Sequence, residues 1–222
     1  MQTNDAWRTR AGQLDIDSRA FVDGAFRDAH DGATFTCTSP IDGRLLAQVA
    51  HCRQADADIA VAAARRAFET AAWRDASPRE RKRVLLRWVA LIREHADDLA
   101  LLETLDTGKP IGDTTTIDIP STAYCAEWFA EAIDKTGGEV APADAHLVGL
   151  VTREPIGVVA AVVPWNFPAM IAMWKCAPAL AAGNSVVLKP SEKSPLSALR
   201  LAALAAQAGL PAGVLNVLPG FG

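Results

Sequence analysis

The stretch from Gly157 to Glu192, GVVAAVVPWNFPAMIAMWKCAPALAAGNSVVLKPSE, constrains the fold of this 222-residue chain more than any other. It reads as an apolar strand, a turn carrying Trp165 and Asn166, an apolar helix, a second apolar strand, and a polar turn with Lys189 and Glu192. Strands that are apolar throughout and joined by a helix predict a parallel sheet covered on both faces, because only such a sheet buries every side chain of a strand. Ligands of open sheets of this kind collect beyond the carboxyl ends of the strands. Both polar turns fall there, so a cofactor site is expected between them.

The alternation continues with a helix from about Pro195 to Ala208, a stop at Gly209 and a strand from Val214 to Leu218. Strand, helix, strand, helix, strand implies right-handed parallel crossovers. The expected fold class is therefore α/β, an open parallel-sheet, Rossmann-like coenzyme-binding domain. It is expected to be incomplete, since Gly220-Phe221-Gly222 begins a ligand-facing turn at the last residue given.

Upstream of this unit the texture differs. After a polar arm (1–19), Asp23-Gly24 between short apolar runs predicts a type I′ hairpin, and Pro40, Asp42 and Gly43 predict a second hairpin around Thr34 to Ala50. Ile59, Ala60, Ala63, Ala67 and Phe68 recur at helical spacing behind Asp56, the expected N-cap. Ser77-Pro78-Arg79-Glu80 is a capping box with proline at the first helical position. Val84, Leu85, Trp88, Val89 and Ile92 form the apolar face of that helix, and its arginines with Lys82 are expected to be solvated. A helix through Leu99 to Leu105 stops at Thr107-Gly108-Lys109-Pro110, and another from Asp118 to Lys135 is expected to bury Tyr124, Trp128, Phe129 and Ile133. Residues 139–154 read as a small protruding strand element, which needs a partner chain or a cover. It divides the coenzyme-binding domain into a first part (20–138) and a second (155–222).

A net charge of -4 without basic clusters argues against nucleic acid and anionic membranes as partners. No apolar run has signal-peptide or membrane-spanning form, so a soluble cytoplasmic protein is expected. Four scattered cysteines lack the spacing of a metal site and read as reduced, structural thiols. Cys176 in particular lies in an apolar helix with no neighbouring base.

The chemistry is expected at the strand ends. In Pro164-Trp165-Asn166-Phe167-Pro168 two prolines restrict the backbone around one amide side chain. A fixed amide N–H suits an oxyanion hole, which must point in advance at the oxygen where charge develops. A plain helix-capping asparagine is the alternative. Lys189 and Glu192 could hydrogen-bond the two hydroxyls of a ribose, and the carboxylate would repel a 2′-phosphate, favouring NAD over NADP. A surface ion pair is the competing reading. Neither a GxGxxG nor a P-loop signature is present.

PWNFP, KPSEKSPLSALRLA and AGLPAGVLNVLPGFG, in register and preceded by LLETLDTGKP, resemble the aldehyde dehydrogenase superfamily. The wording is most similar to bacterial enzymes of putrescine breakdown that oxidise γ-glutamyl-γ-aminobutyraldehyde. The resemblance implies NAD-dependent oxidation of an aldehyde, here an aminoaldehyde or γ-glutamylated aminoaldehyde, to its acid through a cysteine thioester. It assigns Asn166 to the oxyanion hole and Lys175 to a proton path. Val162, Val163, Pro164, Trp165, Lys189, Ser191, Glu192 and Gly222 would bind NAD, with NADP the poorer cofactor. Phe167, Met170 and Trp174 would line the aldehyde tunnel, and Asp118 would meet a cationic substrate tail. Residues 139–154 would serve dimer contacts in a homodimer or homotetramer. Family members are longer, and their nucleophilic cysteine, base glutamate and catalytic domain fall beyond Gly222. The chain alone is expected to be inactive. A shortened, non-catalytic relative that binds nucleotide or pairs with a full-length subunit is the alternative.

Overall fold

The structure, a computed structural model, describes residues 3–222. The polar arm is not featureless: Asn4–Ala11 form helix α1, capped by the Thr3 hydroxyl, which accepts the N–H of Ala6 at 3.3 Å. Arg10 ties this helix to the body through Asp98 at 2.7 Å.

Strands β1 (Ala20–Val22) and β2 (Ala25–Arg27) meet at Asp23 and Gly24, whose φ values of 55° and 81° are those of the expected type I′ turn. β3 (Thr34–Thr38) and β4 (Leu45–Ala50) pair as the second hairpin. Helix α2 (Gln54–Glu69) starts earlier than the pattern suggested. Arg53 is its N-cap, and Asp56, three residues in, accepts the N–H groups of Arg53 at 2.9 Å and His30 at 2.7 Å. Helix α3 (Pro78–Glu94) opens on the Ser77–Glu80 capping box, and α4 (Ala96–Thr107) ends at Gly108 in the left-handed conformation.

A short helix α5 (Ile111–Asp113) runs through a π-helical turn (Thr114–Asp118) into α6 (Ile119–Ala132). One expectation fails here. Tyr124 and Trp128 are 65% and 54% exposed, because the small residues Ala123, Ala126 and Ala130 face the core and rotate the bulky ones outward. The basic face of α3 is solvated as expected, with Arg79, Arg83 and Arg93 exposed, and several of its cations also find partners. Lys82 reaches Glu131 at 2.7 Å, Arg93 reaches Glu127 at 2.7 Å, and Arg81 donates to the carbonyl of Ala181, so this face fastens α3 to α6 and to the next helix.

After the ribbon of β5 (Glu139–Ala141) and β6 (Gly149–Val151) come β7 (Val158–Val162), α7 (Pro168–Ala181), β8 (Ser185–Lys189), α8 (Leu196–Gln207) and β9 (Leu215–Val217). The main sheet runs β2-β1-β9-β8-β7. β7, β8 and β9 are parallel, with Val159 opposite Val186 and Val187 opposite Asn216, as the alternating pattern requires. The sheet is mixed rather than wholly parallel, since β1 adds antiparallel to β9 through Phe21 and Val217. Asn216, fully buried, stitches that junction by accepting the N–H of Asp23 at 3.0 Å and donating to Gly213 at 2.7 Å.

Period-two alternation sends Val186 and Leu188 toward α7 and α8, with α3, α4 and α6 packed beyond, while Val187 meets Ala60, Ala63 and Ala64 of α2. Helix α2 lies so close that a Cβ on Gly213 would sit 2.8 Å from the Ala63 carbonyl oxygen. The β5–β6 ribbon is the exception to this packing. Its strands pair with each other, and Val140, Leu147, Val148 and Leu150 are 68% or more exposed. No helix among the described residues is long and apolar enough to cross a membrane.

Candidate functional site

Because β7, β8 and β9 are parallel and in register, their carboxyl ends bring three turns to one edge of the sheet. These are Pro164–Phe167, Pro190–Ser194 and Pro219–Gly222. A hydrogen bond from Val163 N–H to Lys189 O at 3.1 Å, and one from Ser194 Oγ to Trp165 O at 3.4 Å, tie the first two together. Between them opens a cavity of about 400 Å³, lined on one side by Trp165, Glu192, Lys193, Ser194 and Phe221 and on the other by β3 and Asp106. That volume falls in the range of small-molecule and cofactor pockets. Phe221 is held against Phe35 at 5.2 Å and His51 at 4.9 Å between ring centroids.

Lys189 and Glu192 form no ion pair with each other among the described residues. Lys189 Nζ donates to its neighbour's carbonyl, Pro190 O, at 3.2 Å, and Glu192 accepts a long bond from Ser191 Oγ at 3.5 Å. Both keep spare hydrogen-bonding capacity, and Glu192 lines the cavity. The donor and acceptor needed for a ribose are thus present, and a dinucleotide fits the residues found. Val162, Pro164 and Trp165 are exposed along this edge, whereas Val163 is turned into the core by the strand's alternation, leaving its backbone as its means of contact. Gly222 is exposed beside Phe221.

Asn166 is exposed, and its side chain makes no hydrogen bond among the described residues. Phe167 occupies the N-cap of α7 and has no capping side chain, so Asn166 does not cap this helix. Phe167, Met170 and Trp174 follow at helical spacing on one accessible face, with Lys175 exposed next to them. Asp118 is not at a surface. It is 1% exposed and bonded to Lys109 Nζ at 2.6 Å, and the same ammonium lies 3.4 Å from the centroid of the Phe167 ring.

None of the four cysteines is prepared as a nucleophile. Burial pushes the Cys52 and Cys176 thiols up to about 12, raises Cys125, and raises Cys37 furthest, with Asp106 adding to the shift.

Two buried acids escape a reading of sequence pattern. Asp106, held up to about 7 by burial, accepts Cys37 Sγ–H at 3.0 Å and the N–H of Leu196, at the start of α8, at 2.9 Å. Glu103 is completely buried beneath α7 and is pushed up to about 8. The available signal was a pair of carboxylates three apart inside a helical run whose other members, Thr104 excepted, are apolar; Leu99 to Asp106 are all buried.

A sequence profile described as "Aldehyde dehydrogenase family" matches residues 26–222. The chain is 52% identical over 216 residues to the NADP/NAD-dependent aldehyde dehydrogenase PuuC of Escherichia coli, covering 97% of this chain and 44% of that protein. It superposes on a γ-glutamyl-γ-aminobutyraldehyde dehydrogenase from Burkholderia cenocepacia with a TM-score of 0.98 and 70% identity, over 99% of this chain and 45% of the other. An indole-3-acetaldehyde dehydrogenase, AldA of P. syringae, solved with NAD+, gives 0.99 and 57% over 100% and 45%. The chain therefore spans less than half the length of these relatives.

Proposed function

Since the chain belongs to the aldehyde dehydrogenase family, we propose that it supplies the cofactor-binding and oxyanion-holding part of an NAD-dependent oxidation of an aldehyde to its carboxylic acid. The single observation that carries this reading is the convergence of Asn166, Lys189 and Glu192 on the carboxyl edge of one parallel sheet, beside a cavity of cofactor size. Bound NAD supplies the hydride acceptor. The chain's own residues bind and orient: Lys189 donates to one ribose hydroxyl and Glu192 accepts from the other, with Ser191 holding the turn. Trp165 forms a wall of the site, and Val162, Val163, Pro164 and Gly222 complete its edge. The Asn166 amide donates to the substrate oxygen as it gains negative charge, from a backbone that Pro164 and Pro168 restrict. The attacking thiolate is not among Cys37, Cys52, Cys125 and Cys176, whose thiols are all held above their ordinary value.

The proposed substrate is an aminoaldehyde or its γ-glutamyl derivative, in line with the substrate named for the Burkholderia cenocepacia relative. Phe167, Met170 and Trp174 offer it an apolar passage, and Lys175 a proton path. Asp118 enters this reading through Lys109 rather than by meeting the substrate tail itself. Cytoplasmic residence is part of the proposal, because four free thiols suit a reducing compartment.

Cofactor choice tests the ribose assignment. A carboxylate near a 2′-phosphate costs about 1 kcal/mol per unit charge at 4 Å in water, a factor of about five. In the protein at its full coding length, Glu192→Gln is accordingly expected to narrow the NAD to NADP ratio of kcat/KM by roughly fivefold. An unmoved ratio would reduce Glu192 to a surface charge.

We further propose that residues 139–154 form a contact between subunits of a homodimer or homotetramer, dividing the coenzyme-binding domain into its two parts. The support is a two-stranded ribbon whose apolar side chains have no cover. Val148→Asp combined with Leu150→Asp should shift the protein to monomer in size exclusion with light scattering. Retention of the parental mass would remove the ribbon from the interface.

A further inference from the structure

We propose that Glu103 is a positioning residue, whose buried carboxyl anchors the first turn of α7 and so sets the place of the Asn166 amide. The proposal rests on the aldehyde dehydrogenase reading above.

The first N–H groups of a helix have no intrahelical partner and normally find one in a capping side chain close in sequence. Phe167 cannot serve, and Pro168 has no N–H. The next donor, Ala169 N–H, goes instead to Glu103 Oε2 at 3.3 Å, a residue 66 positions earlier. Ala169 lies three residues after Asn166, and Pro168 between them has a fixed φ. Anchoring this N–H therefore restricts where the asparagine stands. A second grip comes from Lys109, which sits over the Phe167 ring at 3.4 Å and is itself held by Asp118 at 2.6 Å. Residues of one segment, 103–118, thus hold both neighbours of Pro168.

Burial without exposure is costly for a carboxylate unless its oxygens are satisfied. Glu103 Oε1 and the adjoining Ser197 Oγ both lack a hydrogen bond of good geometry, and they are the buried side-chain oxygens in that position among the described residues. A small approach of the two would pair them, Ser197 Oγ donating to a carboxylate or accepting from a carboxyl, while Oε2 still accepts from Ala169. Burial first, then the Asp118 charge, push the Glu103 carboxyl up to about 8, against the opposing effects of Ser197, the Ala169 N–H and Lys109. Burial thus favours the neutral carboxyl. Above that value a second negative charge would form beside Asp118 in an apolar interior and loosen the turn.

A folded-state value raised above the ordinary 4.5 means that the folded protein binds the proton more tightly than the unfolded chain. The stabilisation is complete at acid pH, falls as pH rises above 4.5, and is gone once pH passes about 8.

The experiment compares Glu103→Gln and Glu103→Ala with the parent in the protein at its full coding length, with NAD and an aminoaldehyde, from neutral to alkaline pH. Glutamine keeps the acceptor and a neutral donor. It is expected to hold the parental kcat at neutral pH and to abolish an alkaline fall in kcat centred near 8 in the parent. Alanine is expected to lose roughly tenfold or more in kcat with the KM for NAD unchanged, the cost of a displaced catalytic donor. Hydrogen exchange at Ala169 gives a readout independent of turnover: faster in the alanine variant than in the glutamine variant at one pH, with the parent joining the alanine variant as pH rises. A parental alkaline fall that persists in Glu103→Gln, or Ala169 exchange indifferent to all three side chains, would overturn the proposal. Should Glu103→Ala not fold, the glutamine variant's pH profile and exchange decide the matter. A parent that forms no NADH from any aldehyde would sink the functional reading instead, and the exchange comparison would still judge the anchor.

Discussion

In the protein at its full coding length, Asn166→Ala is expected to lower kcat by roughly ten- to a thousandfold, the range for loss of one oxyanion donor, with the affinity for NAD little altered. The separation follows from geometry. Asn166 stands at the end of β7, exposed and without an internal hydrogen bond, so its removal leaves no buried group unpaired and opens no cavity. Lys189 and Glu192, at the end of the neighbouring strand, are untouched. On the proposed role, the interaction lost would be one that strengthens as charge develops on the substrate oxygen, so the effect would belong to kcat and not to binding. Steady-state rates together with a fluorescence titration of NAD would check both halves. An unchanged kcat would remove the oxyanion role, and a parallel loss of NAD affinity would mean that the amide mainly supports the cofactor.

The largest expected effect on stability comes from Trp88→Ala, at about 3–5 kcal/mol. Trp88 is 2% exposed on α3, at the centre of the cluster that joins α3 to the sheet-facing helices, and its indole N–H donates to Leu201 O of α8 at 3.0 Å. Truncation would leave a large cavity and remove that bond. For a protein of this size each kcal/mol shifts the midpoint by about 2–4 °C, so Tm should drop by roughly 10 °C. Trp88→Phe should cost less, retaining most of the apolar contact while losing a hydrogen bond of about 1 kcal/mol. Thermal denaturation followed by circular dichroism distinguishes the two. Near-parental stability of Trp88→Ala would mean that the sheet and α7 hold α8 without α3.

Much of this architecture was legible in the chain. The run from Gly157 to Glu192 could be read as strand, helix, strand because apolar runs bounded by proline, asparagine and glycine have few other uses. Asp23-Gly24 and Ser77-Pro78-Arg79-Glu80 named a turn and a helix start through local backbone chemistry alone, and both stand as expected. The errors cluster where a residue's fate depends on what packs against it. Tyr124 and Trp128 look like core, yet the face of α6 that meets its neighbours is the one lined by Ala123, Ala126 and Ala130. Arg81 looks like surface, yet it is the donor that ties α3 to the end of α7. Asp118 looks like a surface acid for a cationic substrate, yet it is sealed against Lys109.

By itself, the sequence determined the local elements, the parallel unit and the placement of Asn166, Lys189 and Glu192 at strand ends. These follow from periodicity and backbone restriction, which act between near neighbours along the chain. Only the tertiary structure decided that Glu103 serves as the missing cap of α7, that Lys109 grips Phe167, and that Trp165 and Glu192 share one cavity with β3 and Phe221. The physical reason is that a buried polar group takes its partner from whatever the fold brings within about 3 Å, and no periodicity in the chain records which segment that is.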